Sequence, residues 1–234
     1  MEEVKTVRKL IILFVLIFVL SAVSYGFGEN KSSNSSSKAS YPYLIDGFAD
    51  GNYNEGPEWF VFDNIIPTVV SNSMLPQNNI EVGEYSLNIV GTAKNWYVGG
   101  MGTVLGIDAT KYNSLEMNVY GNGEGSGLLK IELYDDDNGN DEIEVDKAWK
   151  PTEDDLWSYE LTIDWKGWKH VSMPFTEFAN TGRGNGIFDP NLTGGSSGLN
   201  KMQLIVVANQ EDGAVDFNID SLEFGLSSSE SEGM

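Results

Sequence analysis

Cysteine is absent from the 234 residues, so neither disulfides nor thiolate chemistry is available to this chain. Histidine occurs once, at His170, which leaves Ser-His and Cys-His triads poorly supported. Positive charge is scarce: 14 Lys and Arg stand against 35 Asp and Glu, a formal net charge of −21 at pH 7. Nucleic acid and anionic membranes reward clustered Lys and Arg, so that balance argues against both as partners and favours cations or neutral polar molecules such as sugars. Also missing are a repeat of fixed period and any sustained helical periodicity.

What is present begins with an export signal. Arg8 and Lys9 precede an unbroken apolar run from Leu10 to Leu20, and the small residues Ser21-Ala22-Val23-Ser24 follow. This pattern predicts a signal peptide over 1–24 and a secreted, cell-surface or periplasmic location. An uncleaved membrane anchor is the alternative, because the uncharged stretch continues to Gly28. The polar, serine-rich "ENKSSNSSSKAS" makes 25–40 a flexible linker, and "LSSSESEGM" makes 226–234 a similar tail. All six Trp fall between them, so one folded domain is expected over 41–225.

Within that domain, period-two alternation dominates. In "SLEMNVYGNG" Leu115, Met117 and Val119 share one face, while Glu116, Asn118 and Tyr120 share the other. "LLKIELY" sets Leu129, Ile131 and Leu133 against Lys130, Glu132 and Tyr134, and "DEIEVDKAW", "SYELTID" and "VDFNIDSLEF" alternate likewise. "KMQLIVVANQ" is apolar on both faces, as a central covered strand would be. Many strands with glycine- or asparagine-rich breaks and almost no helix predict an antiparallel β-sandwich.

The stretch "ELYDDDNGNDEIEVD" at 132–146 holds eight carboxylates and neither Lys nor Arg. Asn138-Gly139 signals a hairpin turn, because both residues tolerate positive φ. The turn does not explain Asp135, Asp136, Asp137 and Asp141, whose charges repel within one Debye length, ~8 Å at physiological salt. A divalent cation held by Asp135, Asp137 and Asp141 and a merely solvated turn both stay open. A third reading makes Glu142, Glu144 and Asp146 catalytic acids on one strand face. Same-face neighbours ~7 Å apart fit only an inverting pair, and any alternating acidic strand passes that test. The chain is therefore expected not to be an enzyme.

Three motifs carry a family resemblance. "LIDGFADG" at 44–51 and "VDFNIDSLEF" at 215–224 resemble the opening and closing strands of galactose-binding-like jelly rolls. "WKGWKHVSMPFTEF" at 165–178 resembles the signature shared by family 11 carbohydrate-binding modules and the related complex I assembly-factor domain. The resemblance implies a jelly roll of two antiparallel sheets, a concave face that takes a glycan, and a structural calcium joining first strand to last. For that calcium it implies Asp46 and Asp220, with Asp50 standing in because Ala49 occupies a position commonly acidic. In the resembling fold the polar sides of the strands line the groove, so the ligand candidates are Asn118, Tyr120, Glu132, Tyr134 and Gln203. Trp96 is added at a loop edge, whereas Trp59, Phe60 and Phe62 in "EWFVFD" are assigned to the core. The expected function is a secreted, calcium-stabilised, non-catalytic module that binds a polysaccharide or cell-surface glycan. The alternative is a self-associating sheath or surface protein with calcium-bridged subunits.

Overall fold

The computed structural model describes residues 42–77, 79–194 and 196–226. The segments expected to be a signal peptide (1–24) and a serine-rich linker (25–40), and the tail beyond Leu226, lie outside the described residues. The strands are β1 (Tyr43–Asp46), β2 (Phe60–Asp63), β3 (Ile65–Ser71), β4 (Tyr85–Thr92), β5 (Tyr97–Ile107) and β6 (Ser114–Asn122). They continue with β7 (Gly127–Asp136), β8 (Asp155–Ile163), β9 (Lys166–Pro174), β10 (Ala179–Asn180), β11 (Gly198–Val207) and β12 (Ala214–Gly225).

These strands build two six-stranded sheets. Sheet A runs β3-β4-β12-β6-β9 with β1 added alongside β12, and sheet B runs β10-β8-β7-β11-β5-β2. Every pairing is antiparallel. The architecture is thus the expected all-β antiparallel β-sandwich, a jelly roll.

Alternation produces the core directly. Leu115, Met117 and Val119 of β6, Leu87 and Ile89 of β4, and Phe217 and Ile219 of β12 are fully buried on the inner face of sheet A. Leu129, Ile131 and Leu133 of β7 and Met202, Leu204 and Val206 of β11 meet them from sheet B. Each such side chain contributes about 1.5–3 kcal/mol on burial, and a one-residue slip would turn the whole set to water, so the registers are strongly specified.

The first and last described strands pair with each other directly. β12 pairs with β4 over Ala214–Ile219, then changes register at Asp220 and pairs with β1, Leu222 opposite Asp46 and Phe224 opposite Tyr43. After β9 the chain turns through Phe175–Glu177, and Phe175 packs edge-on against Phe178 and Phe224.

Two expectations are corrected. Residues 141–149 form no strand: β7 ends at Asp136 and the next strand begins at Asp155. The acids flanking this segment accept backbone N–H groups locally, which competes with cross-strand pairing. Asp136 takes the amides of Asn138, Gly139 and Asp141, and Asp154 takes those of Asp137 and Glu144. Second, the 201–210 run is central in its sheet but covered on one face only, with Gln203, Ile205 and Val207 half-exposed on the other.

Candidate functional site

The registers of sheet B set its outward side chains in transverse rows. Phe60 lies opposite Gly102, Gly102 opposite Gln203, Gln203 opposite Glu132 and Glu132 opposite Ser158. The next row reads Phe62, Gly100, Ile205, Lys130, Glu160. On the other side lie Val104, Lys201, Tyr134 and Leu156.

Two glycines shape the aromatic end of these rows. A Cβ on Gly100 would come within 2.5 Å of Phe62 Cζ, and one on Gly102 within 2.5 Å of Phe60 Cζ and 2.8 Å of Gln203 Cγ. Glycine is required here for close approach, which lets the two rings lie down across β5. Their centroids are 6.2 Å apart and their planes differ by 26°, so they form one shallow shelf. Phe60 remains 42% exposed. At the same corner Tyr97, 38% exposed, donates its hydroxyl to Asp63 Oδ2 at 2.7 Å. Burial, followed by that bond and the charge of Asp63, holds its ionisation well above the usual range for tyrosine.

Beside the shelf lies a fixed polar network. Lys130 Nζ donates to Glu132 Oε1 at 2.8 Å, and the Tyr134 hydroxyl lies 2.9 Å from Glu132 Oε2 and 3.0 Å from Gln203 Oε1. Lys201 sits 4.1 Å above the centre of the Tyr134 ring, and burial lowers its proton affinity. Burial, then the negative Glu132, raises that of Tyr134.

Glu132, Tyr134 and Gln203 therefore converge as the sequence predicted, but Asn118 and Tyr120 do not join them. Both lie on the outer face of sheet A, across the sandwich. There Asn118 donates to Glu81 O at 3.0 Å and contacts His170 Nδ1, while Tyr120 packs edge-on against Trp168. Tyr120 and Tyr134 are 7% and 4% exposed, so neither offers a ring face to a ligand. Trp96 is exposed in the turn before β5, beyond the Phe62 row, and its carbonyl accepts the Ala208 amide. Phe60 and Phe62, assigned to the core from sequence, are the aromatics that this face presents. The alternating glycines of "YVGGMGTV" on the partner strand are the signal that could have found them.

The expected cation ligands are largely engaged by protein donors. Asp46 accepts Phe48 N at 2.7 Å and Trp59 Nε1 at 2.8 Å, Asp220 accepts Gly83 N at 2.7 Å, and Asp50 accepts Asn52 in an exposed turn. Asp141 is exposed, with its backbone amide held by Asp136. Among the described residues no three acidic or histidine side chains form a ready metal cage. The acids considered for catalysis do not line a strand either: Asn138 and Asn140 donate to Glu144, and Arg183 lies 3.3 Å from Asp146. Both carboxyls are held below their usual range, by the Asn140 amide and by the Lys150 backbone amide respectively.

Asp154 is pushed the other way, up to about 7, chiefly by burial and secondarily by the adjacent Glu144. A carboxyl whose folded value exceeds its unfolded value of 3.8 contributes stability that is complete below that value and is lost as pH rises through 7. Metal-free protein is accordingly expected to melt at a higher temperature at pH 5.5 than at pH 8. A flat or rising profile between those values in calorimetry would contradict this.

No curated protein matches the chain. Among solved structures, a family 11 carbohydrate-binding module from Clostridium thermocellum, in complex with a β-1,3-1,4-mixed-linked tetrasaccharide, is 14% identical. It covers 79% of this chain and 96% of its own, with a TM-score of 0.46. The xylan-binding CBM22-2 domain of Xyn10C from Paenibacillus barcinonensis is 16% identical over 80% of this chain and 99% of its own, with a TM-score of 0.41. The fold assignment itself rests on the strands and registers described above. The family model for complex I intermediate-associated protein 30 (CIA30) matches residues 101–219, more than half of the 234-residue sequence, and the chain belongs to that family.

Proposed function

We propose that this protein is an exported, non-catalytic glycan-binding module whose ligand lies across the outer face of sheet B. The shelf of Phe60 and Phe62 laid over Gly100 and Gly102, in register with Gln203 and Glu132, is the observation that carries the reading. Flat apolar rings match the C–H faces of a pyranose, while amide, carboxylate and ammonium groups alongside match its hydroxyls. A net charge of −21 suits an uncharged glycan better than an acidic one.

Calorimetric titration of the full chain against soluble polysaccharides tests this. Saturable binding to at least one neutral glycan is expected, without release of reducing ends. Asn118→Ala and Tyr120→Phe, on the opposite sheet, are expected to bind within about twofold of wild type, since distant independent sites do not couple. Absence of binding across the panel would remove the reading. Export is tested separately by sequencing the N-terminus of extracellular protein, which should begin at Tyr25.

A self-associating surface protein is the second reading, favoured by Ile66 and Met74, exposed at the β3 edge of sheet A. Light scattering that shows a mass increase on adding calcium would support it.

A further inference from the structure

Where β7 ends and β8 begins, Asp135, Asp136, Asp154 and Asp155 are buried side by side, with Asp137 and Asp189 half-buried against them. Among the described residues no Lys or Arg forms an ion pair with any of these six. Most of their oxygens accept N–H groups: Asp155 takes Gly184 and Gly186, Asp137 takes Asn185, and Asp136 and Asp154 take the amides named above.

Asp135 and Asp189 are different. Asp135 Oδ2 accepts the amide of Asp189 at 3.0 Å, but its Oδ1 is enclosed without any partner, and Oδ1 of Asp189 is enclosed and unpartnered too. Cross-strand pairing sets Asp155 directly opposite Asp135 and adds more negative charge. An enclosed carboxylate oxygen with neither donor nor counter-charge costs several kcal/mol, which a bound cation removes.

We infer that Asp135 Oδ1 and Asp189 Oδ1 hold one divalent cation of the calcium type, bridging the end of β7 to the 182–189 segment. With only two carboxylates converging, carbonyl oxygens and water complete the shell, as calcium readily allows. Burial, opposed by the Asp189 amide and reinforced by the charges of Asp189, Asp137 and Asp155, raises the Asp135 carboxyl to about 7, so the same site takes up a proton when the cation is withheld. This site is separate from the Asp46, Asp50 and Asp220 group near the chain ends, and does not depend on glycan binding.

The test is thermal unfolding of the full chain, freed of metal by a chelator and returned to calcium chloride at pH 8. The midpoint is expected to rise by about 5–10 °C at a hundredfold excess over the dissociation constant. Asp189→Asn, at a half-exposed position, and Asp135→Asn should each abolish that rise, while Asp46→Asn should keep it. Calorimetry should give one calcium per chain for this site, lost in the Asp189→Asn protein even if Asp135→Asn fails to fold. No calcium response in the wild type, or an unchanged response in Asp189→Asn, overturns the inference.

Discussion

Replacing Phe60 and Phe62 together with alanine is expected to weaken glycan binding by at least about 30-fold, while leaving the fold intact. Truncating a buried interface aromatic typically costs about 2 kcal/mol or more, and ~1.4 kcal/mol corresponds to a factor of ten. The fold should survive because both rings lie on the outside of an edge strand, where Phe60 is already 42% exposed. Gly102→Val gives the complementary result. Its added Cβ would meet Phe60 Cζ at 2.5 Å and Gln203 Cγ at 2.8 Å, so the ring must lift although no aromatic is lost. Calorimetry should show the loss in both proteins, with unfolding midpoints of the Phe60/Phe62 variant close to wild type. Retained affinity in the double variant would mean that the shelf is not a binding surface.

The second large effect concerns stability. Asp46→Ala is expected to destabilise the domain by about 2–5 kcal/mol, because it leaves two buried donors, Phe48 N and Trp59 Nε1, without acceptors at about 1–3 kcal/mol each. Against a total of about 5–15 kcal/mol that is a large fraction. Asp46 thereby clasps the opening strand to the Trp59 indole by hydrogen bonds. Asp46→Asn should recover part of the loss, since its carbonyl oxygen can still accept one of the two bonds. Denaturant titration of both variants checks this, and a loss in Asp46→Ala below about 1 kcal/mol would show that these bonds are not structural.

Much of this fold was legible in the sequence because its core follows a period of two. The inward sets of β6, β7 and β12 fall where the alternation of "SLEMNVYGNG", "LLKIELY" and "VDFNIDSLEF" places them. The candidate face was only partly legible. Glu132, Tyr134 and Gln203 converge because β7 and β11 are neighbours, whereas Asn118 and Tyr120 obey the same alternation on a strand of the other sheet. Alternation separates inside from outside within a strand but does not say which sheet the strand joins. Nor does it say which of two outward aromatics is free. Phe60 is exposed and Phe62 half-buried because both lie over Gly100 and Gly102, some forty residues away in sequence, so their own segment could not reveal it. The segment 141–149 was misread for a local reason: its Ile143 and Val145 alternate like a strand, but Asp136 and Asp154 capture its backbone amides first.

The most direct test of glycan binding on sheet B is amide chemical-shift mapping during titration with an oligosaccharide of a glycan that binds. Shifts should concentrate at Gly100, Gly102, Lys130, Glu132, Ser158 and Gln203, with the amides of Asn118, Tyr120 and Trp168 unmoved. Shifts centred on sheet A, or an unchanged spectrum at saturating ligand, would contradict the account.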